Sequence, residues 1–277
     1  MYRALNPGMI GVSAPFEDCC KWAAEAGFEG MAIGVDQIEE MGVEPIKTAL
    51  SNHGLKPSVF GLPVEFRGDE ESFQKDLSRF PDQAALAAQV GLERCSTWVL
   101  PGQKDLSESE YFALMKRRLG ECARVLHDHG IRLGLEFIGP KTLRDELGIK
   151  GIGLSTAGNM LELCEAIEVP GVGLLLDAWH WHTSHGDAKT LEWMTNTLIV
   201  DVHVNDAPKS VPIDELPDTK RELPGSTGVI DLKTFFDHLR RVEYDGPVHV
   251  EPFNQELHGM EDKAAVEKTG DALRKFV

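Results

Sequence analysis

The stretch LLLDAWHWH, residues 174–182, combines a continuous apolar run with a cluster of polar side chains. Three leucines lead into Asp177, and His180 and His182 follow shortly after it. A continuous apolar run is typical of a strand that is buried on both faces, as in a parallel sheet covered by helices. We therefore predict a buried parallel strand whose carboxyl end carries an aspartate and two histidines.

Short apolar runs of this kind recur along the chain, and amphipathic, helix-like segments lie between them. The eight runs cover residues 9–14, 30–35, 57–62, 94–100, 132–138, 172–176, 199–204 and 247–250. Alternating strands and helices indicate a parallel sheet, and eight such units in 277 residues are typical of a (β/α)8 TIM barrel. A doubly wound sheet is the alternative, but no G-x-G-x-x-G follows the first run. We expect an α/β chain with a single (β/α)8 barrel domain over residues 1–277.

The chain is acidic, with 45 Asp and Glu against 28 Lys and Arg and a formal net charge of −17. Nucleic acids and anionic membranes attract clusters of basic residues, so we expect neither as a partner. No apolar run reaches the roughly 18 residues of a membrane helix, and the start, MYRALNPGMIGVSA, lacks a signal-peptide layout. Five cysteines without a C-x-x-C motif are typical of a reducing compartment. These features predict a cytoplasmic protein and leave homo-oligomer formation open.

Polar residues end the last four predicted strands, in the segments LGLEF, LLLDAWH, VDVHVND and VHVEPF. These strand-end residues are Glu136, Asp177, His203 and Glu251. A single acidic residue at such a position is often a helix N-cap or half of an ion pair. Four on neighbouring strands should converge at one rim, where a divalent metal would relieve the repulsion among three buried carboxylates. Ligands rich in oxygen with one imidazole favour manganese, magnesium or cobalt, and suit zinc less well.

Two more polar residues share strand faces with these candidates, because side chains two positions apart on a strand point the same way. Asp201 precedes His203 by two residues, and His249 precedes Glu251 by two. Both should therefore lie deeper in the barrel. They could orient the metal ligands or form a buried structural pair, and both interpretations stay open.

From about Arg132 to its end, the sequence resembles the D-tagatose 3-epimerase and inosose isomerase branch of the xylose isomerase-like TIM-barrel superfamily. This superfamily includes sugar phosphate isomerases and epimerases, and the branch binds its metal through Glu, Asp, His and Glu on four consecutive strands. The resemblance assigns these roles to Glu136, Asp177, His203 and Glu251. It also implies that His180, three residues after the aspartate, and Arg221, in RELPGSTGVID, bind substrate.

The resemblance implies an enzyme, a divalent-metal-dependent isomerase or epimerase acting on a keto-sugar or keto-polyol through an enediolate. Its partner would be a small-molecule carbohydrate, and Glu136 and Glu251 would act as acid and base on the carbon beside the carbonyl. A lyase or dehydratase acting on a keto-inositol or a 3-keto-glycoside is the alternative, because its first proton abstraction is identical. A non-catalytic sugar-binding barrel is a further alternative, although both glutamates are intact.

Endonuclease IV, a three-zinc DNA-repair enzyme, has the same fold, and two of its sequence fragments are present. Asp177 with His180 and His203 with Asp206 match those fragments. Three zinc ions need additional histidines on the second and third strands, and the segments GMAIGVD and SVFGLPVEF contain none. Together with the net charge of −17, this difference disfavours a nuclease.

Other side chains near the strand ends could contact a substrate, and each has a simpler explanation as well. Trp98 could form an apolar wall against a sugar or pack in the core. Lys141 and Arg144, where the epimerases have an acidic residue, could bind a phosphate or carboxylate or lie in a solvated loop. Glu65 and Arg67, in GLPVEFRGDE, could reach the substrate or pair with each other.

Two connections are longer than simple turns: residues 139–156 after the fifth predicted strand and residues 206–228 after the seventh. Both follow strand carboxyl ends, the face where barrels keep their active sites. We expect the loop 206–228 to close over the ligand and to present Arg221 to it. Surface decoration is the alternative for both connections.

Overall fold

The computed structural model describes residues 1–277 and contains nine strand segments in one sheet. The strands are β1 (Tyr2–Leu5), β2 (Gly30–Met31), β3 (Lys56–Pro57), β4 (Phe60–Gly61), β5 (Arg94–Val99), β6 (Arg132–Phe137), β7 (Val172–Asp177), β8 (Ile199–Val204) and β9 (Pro247–Val250). Their order in the sheet is β3-β2-β1-β9-β8-β7-β6-β5-β4, and every named pair is parallel. Because β3 and β4 are pieces of one extended segment, residues 56–61, the sheet closes on itself. This closure confirms the predicted α/β TIM barrel.

Helices follow the strands and cover the outside of the barrel. They are α1 (Phe16–Glu25), α2 (Val35–Met41), α3 (Val43–Asn52), α4 (Glu70–Val90), α5 (Glu108–Asp128), α6 (Lys141–Glu146), α7 (Ala157–Ile167), α8 (Ala178–Thr183), α9 (Ala188–Leu191), α10 (Leu232–Arg241), α11 (Gln255–His258) and α12 (Asp262–Leu273). The start of α5 is fixed by a capping box between Ser107 and Glu110. Asp69 caps α4 by accepting a hydrogen bond from the backbone N–H of Ser72. Such caps set where the loops at the barrel mouth end.

The first strand lies earlier in the chain than predicted. It is Tyr2–Leu5, which pairs with β2 and β9, whereas residues 9–14 form no strand. Pro7–Ile10 instead form a short 3-10 helix that ends at Gly11, whose φ is 77°. Ile10 is buried there, because this loop packs over the barrel mouth. The loop is therefore as apolar as a buried strand. The prediction of a strand at residues 9–14 was therefore wrong.

Observed strands overlap each of the remaining predicted runs. The fourth to eighth apolar runs match β5 to β9 to within one residue at each end. The second is shorter than predicted, because only Gly30–Met31 pair as a strand and α2 begins at Val35. The third is divided into β3 and β4. The regular half of the barrel is thus the half that carries the candidate ligands.

The carboxyl ends of β6 to β9 meet at one rim of the barrel. In the β7–β8 pair Asp177 lies opposite His203, and in the β8–β9 pair His203 lies opposite His249. Glu136, near the end of β6, lies opposite Trp98 of β5. This register brings side chains together that are far apart in the sequence.

The structure contains one hydrophobic cluster of 69 buried residues contributed by strands and helices alike. All five cysteines are buried and unpaired, as expected for reduced thiols. None of the helices has both the length and the apolar character that a bilayer crossing requires.

Candidate metal and acid–base site

Four ionisable side chains meet at the mouth of the barrel. Glu136 comes from β6, Asp177 from the end of β7, His203 from β8 and Glu251 from the residue after β9. One ligand atom from each lies within 4.8 Å of the others, so this cluster could hold one metal ion. The structure brings the four predicted ligands together, and their binding of a metal stays a prediction.

Three buried atoms of this cluster have no hydrogen-bond partner: Oε1 of Glu136 and both ring nitrogens of His203. Oε1 and Nδ1 lie 3.7 Å apart, and the same Nδ1 lies 3.4 Å from Oε2 of Glu251. A buried polar atom without a partner costs roughly 1–3 kcal/mol, and a cation between Oε1 and Nδ1 would satisfy both of these atoms. Three carboxylates with one imidazole therefore fit a divalent ion here.

The two glutamates of the cluster have different electrostatic surroundings. Burial raises the pKa of Glu136 well above its usual range, and the negative charge of Glu251 raises it further. Burial acts in the same direction on Glu251, but the positive charges of Arg221 and His203 outweigh it and lower the pKa of Glu251 to about 2. Glu136 thus has no cation bonded to it, and a bound metal would supply one.

Arg221 reaches the cluster from the long loop after β8. Its Nη1 donates hydrogen bonds to Oδ2 of Asp177 at 2.7 Å and to Oε2 of Glu251 at 2.8 Å. Its Nη2 donates to Oδ1 of Asp218, in the same loop, at 2.9 Å. The guanidinium is buried, so these bonds neutralise part of the carboxylate charge. The arginine predicted to bind substrate therefore contacts two of the predicted metal ligands.

His180, the first histidine after Asp177, is also buried in the cluster. Its Nδ1 accepts a hydrogen bond from the backbone N–H of Gly139 at 3.1 Å. Nδ1 therefore carries no proton in the neutral ring, and Nε2 carries it. Burial lowers the pKa of His180, which favours this neutral form. Nε2 lies 3.9 Å from both Oε1 of Glu136 and Oδ2 of Asp177. Nη2 of Arg221, 3.4 Å away, is itself a donor and makes no hydrogen bond to a protonated Nε2. The N–H of Nε2 can therefore serve as a donor inside the site.

A chain of buried polar groups lies behind His203. Its Nε2 is 3.5 Å from Oδ2 of Asp201, and Oδ1 of Asp201 is 3.0 Å from Nδ1 of His249. Ser58 and Ser96 extend the chain, with Oγ atoms 3.2 Å from His249 and Asp201 respectively. Burial would raise the pKa of Asp201, but the charges of His249 and His203 outweigh it and lower that pKa. An ionised Asp201 is placed to orient the imidazole of His203, which favours the first of the two predicted roles.

A cavity of about 630 Å³ opens onto the cluster, and Glu136, His203 and Glu251 line it. Trp98 lines the same cavity with 45% of its surface exposed, so its side chain forms part of the wall rather than of the core. An aromatic face beside the ligand cluster is compatible with the predicted contact to a sugar.

Of the five residues predicted to bind substrate, only Trp98 lines this cavity. His180 and Arg221 are buried in the cluster beside it, and Glu65 and Lys141 are engaged elsewhere. Oε1 of Glu65 accepts hydrogen bonds from the backbone N–H groups of Arg67 and Gly68, so the side chain closes its own turn. Lys141 pairs with Asp145 one turn further along α6. In this arrangement both side chains are engaged locally, and a contact with substrate would require these loops to move.

The loops after β1 and β2 also line the cavity, and the sequence analysis did not identify them. They contribute the polar side chains of Asn6, Ser13 and Gln37. Asn6 directly follows β1, the same strand-end position that identified the four ligands. If the first strand had been placed correctly, the same reasoning would therefore have identified Asn6 as a candidate site residue.

Comparison with known proteins adds to this geometry. Residues 20–276 match the family described as Xylose isomerase-like TIM barrel. An inosose isomerase of Halalkalibacterium halodurans is 23% identical over 87% of this chain and 82% of its own length. A ketose 3-epimerase of Arthrobacter globiformis is 25% identical over 84% of this chain and 76% of its own. A 3-dehydroshikimate dehydratase of Pseudomonas aeruginosa is 23% identical over 97% of this chain and 40% of its own.

Solved structures show the same architecture. A xylose isomerase domain protein from Alicyclobacillus acidocaldarius superposes with a TM-score of 0.85 at 26% identity, covering 100% of this chain and 98% of that one. The IOLI protein, solved with a zinc atom, superposes with a TM-score of 0.82 at 19% identity, covering 100% of this chain and 99% of that one. With the family match extending over nearly the whole sequence, the chain belongs to the Xylose isomerase-like TIM barrel family.

Proposed function

We propose that this chain is a divalent-metal-dependent isomerase or epimerase that acts on a keto-sugar or keto-polyol. One observation carries the proposal: the carboxylates of Glu136 and Glu251 lie on either side of His203 at one cavity, with ligand atoms close enough to share a metal. The named relatives are an isomerase, an epimerase and a dehydratase, and all three reaction types support an enzyme.

The two glutamates supply the proton chemistry. One carboxylate removes the proton from the carbon beside the carbonyl, which leaves an enediolate, and the other returns a proton to the opposite face to give the epimer. If one glutamate serves two neighbouring carbons, the same steps give an aldose–ketose isomerase. Arg221 bonds to Glu251 and keeps that carboxylate ionised.

His180 is placed to act on the substrate oxygens. Nε2–H of His180 can donate to an oxygen that gains negative charge when the proton leaves. A divalent ion held by Glu136, Asp177, His203 and Glu251 would polarise the carbonyl and stabilise that charge. The oxygen-rich donor set favours manganese, magnesium or cobalt, and the zinc in the IOLI protein supports zinc as a further candidate.

Dehydration is the second candidate reaction. The dehydratase relative matches 97% of this chain, and loss of a β-substituent begins with the same removal of a proton beside a carbonyl. The two glutamates therefore fit a lyase as well as an epimerase. The fate of the substrate separates the two reactions.

Deuterium exchange tests the proposal. Metal-loaded protein would be incubated in D₂O with D-fructose, D-tagatose, inosose and 3-dehydroshikimate, and each ketone followed by NMR. Exchange beside the carbonyl with a change of configuration supports the epimerase, and loss of water supports the dehydratase. The variant Glu165→Gln, on the exposed face of α7, is the matched control and should exchange like the wild type. If no ketone exchanges its protons, the proposed enzyme activity is contradicted, and the protein would bind sugars without catalysing a reaction.

A further inference from the structure

Arg67 lies on the loop after β4 and lines the same cavity as Glu136, His203 and Glu251. Its side chain takes part in no ion pair within 4.0 Å. Its hydrogen bonds come from Nη2 alone, which donates to Oγ1 of Thr97 at 2.8 Å and to the backbone oxygen of Trp98. The alternative that Arg67 and Glu65 pair through their side chains is therefore not realised, because Glu65 accepts from the backbone of this loop.

The guanidinium of Arg67 is held in one orientation between two aromatic rings. Its central carbon lies 4.1 Å from the centre of the Phe66 ring and 3.6 Å from that of Trp98. Nε is buried without a partner, and Nη1 likewise makes no hydrogen bond. Burial lowers the pKa of Arg67 to about 10, and the negative charge of Glu65 offsets this effect only in part. An oriented cation with unused donors is a binding group for an anion.

The other cations near the site are already engaged. Arg221 is bonded to the carboxylates of Asp177, Asp218 and Glu251. Arg144 donates to the backbone oxygen of Gly139 and to Ser155, and Lys141 pairs with Asp145. Arg67 is thus the cation at this cavity whose charge has no acidic partner.

We propose that Arg67 binds an anionic group of the substrate, a phosphate or a carboxylate located away from the reacting carbon. This inference rests on the proposed function and narrows its substrate to an acidic keto compound. Nη2 of Arg67 is bonded to Trp98, which lies opposite Glu136 in the sheet. One strand spacing, about 5 Å, separates Trp98 from Glu136, so the guanidinium bonded to Trp98 lies near one member of the acid–base pair, a span of a few bonds in a sugar phosphate or a cyclic keto acid.

Calorimetric titration of the metal-loaded protein tests this subsite with two pairs of probes. The phosphate pair is D-fructose 6-phosphate and D-fructose, and the carboxylate pair is 3-dehydroshikimate and its methyl ester. In at least one pair the charged member should bind about tenfold tighter or more, as expected for a charge-assisted hydrogen bond. Arg67→Met should reduce that ratio to about twofold or less, and Arg67→Lys should restore part of it. Arg79→Met removes an exposed charge on α4 and should leave the ratio unchanged.

The probe pair that shows the preference tells whether Arg67 binds a phosphate or a carboxylate. Equal binding within both pairs, a lack of binding by both charged probes, or a preference that survives Arg67→Met would each overturn the subsite. The proposed function fails by a different observation, the absence of proton exchange with every ketone. A protein that exchanges protons of neutral and charged ketones equally well keeps the function and loses the subsite.

Discussion

At the scale of single residues, the central contrast is between Glu136 and Glu251. Glu251 is bonded to Arg221, whereas Oε1 of Glu136 has no hydrogen-bond partner. A bound metal would therefore change the charge state of Glu136 more than that of Glu251. The two glutamates can take different roles in proton transfer because their electrostatic surroundings differ.

The variants Glu136→Gln and Glu251→Gln test this division, since glutamine keeps the size and one oxygen ligand. If the two carboxylates act on opposite faces, net epimerisation should fall by about 10² or more in both variants, the low end for a lost general base. Each variant should still exchange a proton on one face. Deuterium exchange of the two C3 epimers should then become unequal, with opposite bias in the two variants.

The metal content of both variants has to be measured first, because a lost ion would imitate a lost base. A different result would contradict the two-base scheme: one variant without any exchange and the other with full turnover. The remaining glutamate would then be the sole base. Isomerase or lyase chemistry would in that case replace epimerisation.

Replacing Arg221 gives a second prediction at this scale. Arg221→Ala should raise KM about tenfold or more, equivalent to roughly 1.4 kcal/mol, if the guanidinium orients a substrate oxygen or the ligands around it. Steady-state kinetics on a substrate found by deuterium exchange would measure the change. The exposed Arg79→Ala should leave the kinetics as they are, and unchanged kinetics in Arg221→Ala would exclude a role in binding.

The sequence identified residues of the candidate cluster where a local signal existed. Asp177 and Glu251 directly follow mostly apolar runs, so their position at the barrel rim followed from the strand pattern. The role of Arg221 came only from a resemblance, because its contacts depend on the path of a long loop. Whether Glu65 and Arg67 pair could not be predicted either, since both side chains bond within the loop or its neighbouring strand.

At the scale of elements, the loop 206–228 is anchored at its base by one side chain. The carboxylate of Asp206 accepts hydrogen bonds from the backbone N–H groups of Thr227, Gly228, Val229 and Ile230. The backbone of Asp206 also pairs with that of Glu222, next to Arg221. The position of the guanidinium therefore depends on this anchor.

Asp206→Ala should loosen the loop without unfolding the barrel. Amide hydrogen exchange in residues 206–230 should become at least about tenfold faster, a change of roughly 1.4 kcal/mol in local opening, while α4 keeps its protection. Asp231→Ala is the matched control, because it removes the N-cap of α10 and should accelerate exchange in that helix instead. Unchanged exchange in Asp206→Ala would show that the loop is held by its other contacts.

Errors in predicting elements were confined to the first half of the barrel. β2, β3 and β4 have two residues each, too few for a periodic pattern. The loop after β1 is apolar because it packs over the mouth, so hydrophobicity placed the first strand there. β6 to β9 are longer, are mostly apolar and were placed correctly. Sequence patterns thus located the strands that are long enough to carry an apolar run.

At the scale of the whole molecule, barrel closure turns distant residues into one site. Glu136 and Glu251 are separated by more than one hundred positions in the sequence, yet both lie at one rim because every strand runs parallel. The same closure brings Arg67, from the opposite half of the barrel, to the cavity of the acid–base pair. The fold therefore fixes the distance between the two glutamates that act on the substrate carbon and the arginine proposed to bind its anionic group.

The central claim is that Glu136, Asp177, His203 and Glu251 hold one divalent ion. Calorimetric titration of chelator-treated protein with Mn²⁺ tests it most directly, with Asp177→Asn and the exposed control Asp82→Asn measured alongside. The account predicts one site per chain, with affinity at least about tenfold weaker in Asp177→Asn and unchanged in Asp82→Asn. No binding by the wild type, with Co²⁺, Mg²⁺ and Zn²⁺ equally without effect, or equal affinity in Asp177→Asn, would contradict it.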